Sequence, residues 1–132
     1  MARVLIVDDD PNTVEILARA ITFYGHQAER AYSGEEALEK ISGHPPEIVL
    51  LDLMVPGLDG YETLRRLRNI PGLSKLPVII VTASAKTDLE QRVAAAGATG
   101  YLRKPVSLAA LAELISRTVE PNGGRGAAPA AT

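Results

Sequence analysis

Three almost purely aliphatic runs, Val4–Val7, Ile48–Leu51 and Val78–Val81, limit the fold more than any other feature of the chain. Each is about strand length and none alternates with polar residues, so both faces of each must be covered by other structure. Weaker strand candidates lie around Gln27–Tyr32 and Thr99–Arg103. Helical periodicity fills the intervals. Val14, Leu17, Ala18 and Ile21 share one helix face, Leu64 and Leu67 another, and Leu108, Leu111, Ala112, Ile115 and Val119 form the clearest stripe. Leu89, Val93 and Ala96 give the fourth helix only a thin apolar stripe, beside a low-relief face at Ala94 and Ala95.

The punctuation agrees. Asp10 before Pro11 has the form of an N-cap followed by proline at the first helical position. Ser33 with Glu36 and Thr87 with Glu90 have capping-box spacing, and Asp59 with Glu62 is an acidic relative of it. Gly25 and Gly97 are placed to stop helices, and Pro71-Gly72 and Pro77 break the chain before the fourth strand. The expectation is one α/β domain over residues 1–120, with strand and helix alternating five times in a parallel sheet covered by helices on both faces. Residues 121–132, rich in Gly, Ala and Pro, are expected to be disordered. With 132 residues, 46% of them hydrophobic, the chain can build one core. A net charge of -2 offers no footprint for nucleic acid, and no apolar run could span a membrane. The absence of cysteine excludes thiol chemistry, and a start in Met-Ala-Arg before the first strand leaves no room for a signal peptide, so a cytoplasmic setting is expected.

Open parallel sheets bind ligands at the carboxyl ends of their strands. Those ends carry Asp8-Asp9-Asp10, Asp52, Thr82 and Lys104-Pro105. Counting Asp8, Asp9 and Asp52 against Lys104 leaves a local charge of -3 + 1 = -2. A divalent cation cancels that, and an all-oxygen donor set suits Mg²⁺. An aspartate beside such an ion is a competent nucleophile toward phosphorus, while a lysine and a hydroxyl can hold phosphoryl oxygens as charge builds on them.

Val-Asp-Asp at 7–9, Asp52-Leu-Met-Val-Pro56-Gly-Leu-Asp59-Gly60, Val81-Thr82-Ala83 and Lys104-Pro105, in that order and spacing, resemble the receiver family of two-component response regulators over about 118 residues. The resemblance implies a flavodoxin-like three-layer sandwich with strand order 2-1-3-4-5. It implies a phosphorylation-operated switch rather than a turnover enzyme, with Asp52 as phosphoacceptor. Mg²⁺ would be held by Asp9, Asp52, the Met54 carbonyl and, mainly through water, Asp8. Thr82 and Lys104 would contact the phosphoryl group, Lys104-Pro105 would be a cis peptide, and Tyr101 would be an aromatic that changes rotamer on phosphorylation. The implied partners are a sensor histidine kinase or histidine phosphotransfer protein and a downstream protein reading the surface of the fourth helix, fifth strand and fifth helix. Val106 departs from the family, which often has Phe after Lys-Pro.

The plainer alternatives are specific. Asp10 is read as a cap rather than a ligand, Asp59 and Gly60 as the start of the third helix without chemistry, and His26 and His44 as surface residues. The chain could be a stand-alone regulator, or a receiver cut from a hybrid kinase or DNA-binding regulator. The rival enzyme class is a haloacid-dehalogenase-like phosphohydrolase using an Asp8-x-Asp10 pair. That motif continues with Thr or Val where this chain has Asn12, and its late acid pair is missing.

Overall fold

The protein was analysed as a computed structural model, which describes residues 2–54, 57–83 and 89–119. Pro56, Thr87 and the 121–132 tail lie outside the described residues. Strands and helices alternate as β1 (Arg3–Val7), α1 (Pro11–Phe23), β2 (Gln27–Ala31), α2 (Gly34–Gly43), β3 (Ile48–Leu51), α3 (Gly60–Arg68), β4 (Val78–Thr82), α4 (Leu89–Ala95), β5 (Gly100–Arg103) and α5 (Leu108–Val119). The strands form one parallel sheet in the order β2-β1-β3-β4-β5.

Strand parity divides the core in two. Leu5, Val7, Val49, Leu51, Val78 and Ile80 face a layer built by α2, α3 and α4, with Ala37, Ile41, Leu64, Leu67, Leu89 and Val93. Their neighbours Val4, Ile6, Ile48, Leu50, Ile79 and Val81 face α1 and α5, with Val14, Leu17, Ala18, Ile21, Leu111 and Ile115. This two-sided cover is why the runs Val4–Val7, Ile48–Leu51 and Val78–Val81 of the central strands have no polar residues. The edges explain the two weaker strand signals: β2 is mostly half-exposed and β5 is buried nowhere along its length. In α5 the apolar stripe is buried at Leu111, Ala112 and Ile115, whereas Leu108 in its first turn is 37% exposed.

The caps are formed as their sequences require. Asp10 accepts from the Asn12 N–H at 3.2 Å and the Thr13 hydroxyl at 2.7 Å. The Ser33 hydroxyl accepts from the Glu36 N–H, and the Glu36 carboxylate reaches back to the Tyr32 N–H. Asp59 accepts from the Glu62 N–H at 2.9 Å. Gly25 and Gly97 lie at φ +93° and +97°, the left-handed conformation that ends a helix. One reading is corrected. His26 is buried, not at the surface, because its Nδ1 accepts the Ala2 N–H at 3.0 Å where the start of β1 pairs with β2. A lone histidine in a loop carries no periodic signal of such a contact.

Gly60 also does more than begin a helix. A Cβ at this position would lie 2.6 Å from Leu53 Cα and 2.8 Å from the Asp52 carbonyl oxygen, so α3 starts hard against the backbone that carries Asp52. Backbone atoms cannot rotate away as a side chain could. Gly60→Ala is expected to cost about 3 kcal/mol or more in urea unfolding. The control Gly43→Ala, where a Cβ meets nothing within 4 Å, should change stability by less than about 1 kcal/mol. Equal effects of the two substitutions would contradict the close approach.

Candidate functional site

The site stands at the carboxyl edge of the sheet, where the ladder runs on past the strand ends. The Asp8 N–H donates to the Ala31 carbonyl at 3.1 Å, the Asp52 N–H to the Val7 carbonyl at 3.0 Å, and the Lys104 N–H to the Thr82 carbonyl at 2.8 Å. Asp8, Asp52 and Lys104 are thus placed by the backbone of neighbouring strands rather than by free loops, which fixes their side chains relative to one another.

The Lys104 ammonium donates to Asp8 Oδ2 at 2.8 Å and to Asp52 Oδ2 at 3.3 Å. The second oxygen of each carboxylate is also held: Asp8 Oδ1 accepts the Asp10 N–H at 2.9 Å, and Asp52 Oδ1 accepts the Met54 N–H at 3.1 Å. Asp8 and Asp52 are buried and Asp9 is exposed, yet carboxylate oxygens of all three lie within 4.8 Å of one another. Burial, with the nearby Asp8 charge adding to it, pushes the Asp52 carboxyl above its ordinary range against the opposing Met54 and Lys104 hydrogen bonds. For Lys104, burial alone would lower the ammonium. Its hydrogen bond to Asp8 and the charges of Asp52 and Asp8 outweigh that and hold it high.

Two buried carboxylates share one ammonium, and a third carboxylate stands beside them. Such an all-oxygen cluster with excess negative charge fits a hard divalent cation. Asp10 takes no part: its carboxylate is spent on the Asn12 N–H and the Thr13 hydroxyl. The Asp8-x-Asp10 pair of the phosphohydrolase reading is therefore not presented as a pair.

Thr82 is fully buried at the end of β4, level with Arg103 in the β4–β5 register. Tyr101 lies two positions back, opposite Ile80, half-buried against the core layer under α4. It joins that core and not the acid cluster. Lys104-Pro105 is cis. Beside Lys104 runs an apolar groove of about 290 Å³ between α1 and the start of α5, walled by Ile16, Leu17, Val81, Val106 and Leu108. Sequence reasoning missed this groove. The available signal was Ile16, an apolar residue off the buried stripe of α1 and 57% exposed.

The raised Asp52 value has a sign that can be tested. A carboxyl whose pKa is higher in the folded than in the unfolded state favours folding below the ordinary aspartate value. That contribution is lost as pH rises through the raised value, and above it the ionised Asp52 opposes folding. Without divalent cation, Asp52→Asn should therefore raise the thermal unfolding midpoint at pH 7, and the gain should disappear at about pH 3, below the ordinary aspartate pKa. A variant less stable than the parent at pH 7 would contradict this electrostatic account.

A family model described as the response regulator receiver domain matches residues 4–116. The chain is 40% identical over 136 aligned residues to the response regulator MprA of Mycolicibacterium vanbaalenii, covering 98% of this chain and 57% of that protein. It is 43% identical to MprA of Mycobacterium ulcerans, over 87% of this chain and 47% of that one. The chain thus spans about half the length of the curated relatives it matches. Among solved structures, the receiver domain of Francisella response regulator 1452 superposes with a TM-score of 0.86 at 28% identity, covering 92% of this chain and 99% of that one. Vibrio cholerae CheY4 superposes with a TM-score of 0.84 at 28% identity, over 89% and 98% of the respective chains. The parallel sheet in order 2-1-3-4-5, the acid cluster at its carboxyl edge and these matches lead to one conclusion: the chain belongs to the response regulator receiver domain family.

Proposed function

We propose that residues 1–120 act as a phosphorylation switch in which Asp52 takes a phosphoryl group from a sensor histidine kinase or histidine phosphotransfer protein. The observation that carries this reading is the Lys104 ammonium bonded to both Asp8 and Asp52 within a cluster of three carboxylates. An Asp52 carboxylate oxygen attacks phosphorus, the new O–P bond forms, and the bond to the donor breaks with its electron pair leaving on the donor. Met54 N–H and Lys104 fix the plane of the Asp52 carboxylate for that attack. Once Asp52 is an acyl phosphate, the Lys104 ammonium is free to turn toward the phosphoryl oxygens, with the Thr82 hydroxyl as a further donor.

Asp8, Asp9, Asp52 and the Met54 carbonyl are the proposed ligands of Mg²⁺. When bound, the ion neutralises the surplus carboxylate charge and supplies a positive partner for phosphoryl oxygens. Self-catalysed dephosphorylation is the only turnover in this reading, and the cytoplasm is its proposed setting. The proposed output surface is that of α4, β5 and α5, with Tyr101 responding to Thr82 from within the core. Nothing in this reading calls for direct contact with nucleic acid or a membrane by the domain itself. The greater length of the MprA relatives supports a second reading of the context, in which this receiver is one part of a longer regulator.

Incubation with acetyl phosphate and Mg²⁺ should label the protein once, at Asp52, as read by mass spectrometry after borohydride reduction. Asp52→Asn should not label, and full labelling of that variant at Asp8 or Asp9 would defeat the assignment. In a separate titration, Asp9→Ala should weaken Mg²⁺ binding by roughly tenfold or more. Asp10→Ala should leave Mg²⁺ affinity intact and lower helix stability only. Equal losses of affinity would show that the acidic run is wrongly divided between ligand and cap.

A further inference from the structure

Arg68 closes α3 at the edge of the sheet opposite the acids, and its guanidinium is committed to main chain. Nε and one terminal nitrogen donate to the Gly97 carbonyl at 3.1 and 2.8 Å. The other terminal nitrogen donates to the Leu73 carbonyl at 3.2 Å and the Leu76 carbonyl at 2.6 Å. Among the described residues no carboxylate pairs with it. Burial pushes the guanidinium below its ordinary value, as expected of a cation that has exchanged water for carbonyl oxygens.

One planar group therefore ties together the last turn of α3, the loop before β4 and the turn between α4 and β5. Gly97 is shaped for this. Its φ of +97° ends α4, and a Cβ would stand 3.4 Å from Arg68 Nε. The Gly97 N–H returns to the Ala94 carbonyl at 3.1 Å and the Ala98 N–H to the Val93 carbonyl at 3.0 Å, which caps the C-terminal end of α4. Along its body, α4 has less to hold it. Leu89 and Val93 are its buried side chains, and the Arg92 guanidinium sits 4.8 Å from the centroid of the Tyr61 ring on α3. Charge-assisted bonds to three carbonyls add more at this end than the single cation–π contact adds to the burial of Leu89 and Val93 along the body.

We propose that Arg68 is the fixed end of a hinge, so that α4 answers phosphorylation by pivoting about Gly97 rather than by sliding as a unit. The proposal rests on the reading of Asp52 as phosphoacceptor. It gives Arg68 a positioning role: through α3, whose first residue abuts the Asp52 backbone, the guanidinium grounds α4 on the same helix that touches the acceptor strand.

The test compares the full chain with Arg68→Ala, Arg68→Lys and Arg92→Ala, each with Mg²⁺, before and after addition of beryllofluoride. Fluorine NMR reports whether beryllofluoride binds. Amide shifts and hydrogen exchange then report the response along residues 89–103. In the parent, shifts should be largest at Leu89–Gln91 and fall toward zero at Gly97, Ala98 and Thr99. In Arg68→Ala, which removes all four guanidinium hydrogen bonds, exchange at Gly97 and Ala98 should accelerate by at least about tenfold. The beryllofluoride response should then extend through Thr99. Arg68→Lys, one ammonium facing three carbonyls, should lie between the two and decides the matter if Arg68→Ala does not fold. Arg92→Ala should leave residues 97–99 as in the parent. Parent shifts at 97–99 as large as those at 89–91, or Arg68 variants with the parental pattern, would overturn the hinge while leaving the acceptor assignment intact. A parent that binds no beryllofluoride would overturn both.

Discussion

Two carboxylates taken out of water against one ammonium are the constraint on which the rest of the molecule depends. Asp8 and Asp52 follow adjacent strands, so the sheet sets their approach to about one strand spacing whether or not their charges favour it. Among the described residues the counter-charge that pairs with both is Lys104, which arrives from the far edge beyond β5 and must reach past β4. That is a task for a long flexible cation, and a short side chain on the same turn could not perform it. The arrangement does not cancel its own charge. The stability needed to hold it comes from the aliphatic strands underneath, all buried and covered on both faces.

The two edges of the sheet differ in kind as a result. The carboxyl edge holds ionised groups in a state that burial opposes, which is a reservoir of free energy released when a ligand or a new bond relieves it. The opposite edge is held by ties to main chain: the Ala2 N–H to the His26 ring, the Val78 N–H to the Thr99 hydroxyl, and Arg68 to three carbonyls. Each satisfies a main-chain group that the strand ladder leaves over. A domain built to change at one edge thus has a reason to be stitched at the other.

Much of this was legible in the sequence because the relevant signals are local. Central strands declare themselves by continuous aliphatic runs, helix starts by Asp10, Ser33 and Asp59, and the acids and lysine by their place at strand ends. The strand order was not legible in any periodicity. It came with the family resemblance, because permuting the strands of a parallel sheet leaves every local pattern unchanged. The misses share one cause. His26, Gly60 and Arg68 owe their roles to segments 24, 7 and 29 residues away in sequence, namely Ala2, Leu53 and Gly97. Arg68 in particular sits in the run Arg65-Arg66-Leu67-Arg68, and nothing in that run distinguishes the half-buried cation from the two at the surface.

Helix α3 is constrained at both ends as well as along the buried face formed by Thr63, Leu64 and Leu67. Gly60 has no space for a side chain at one end, Arg68 must meet three carbonyls at the other, and the two anchors are the first and last of the nine residues of the helix. A single insertion in a helix advances the chain by about 1.5 Å and turns it by roughly 100°, so the length of α3 cannot drift without losing one anchor. Its exposed positions, Arg65 and Arg66, face no such restriction. Over evolutionary time the helix should therefore behave as a gauge block, variable in composition along its outer face and invariant in residue count.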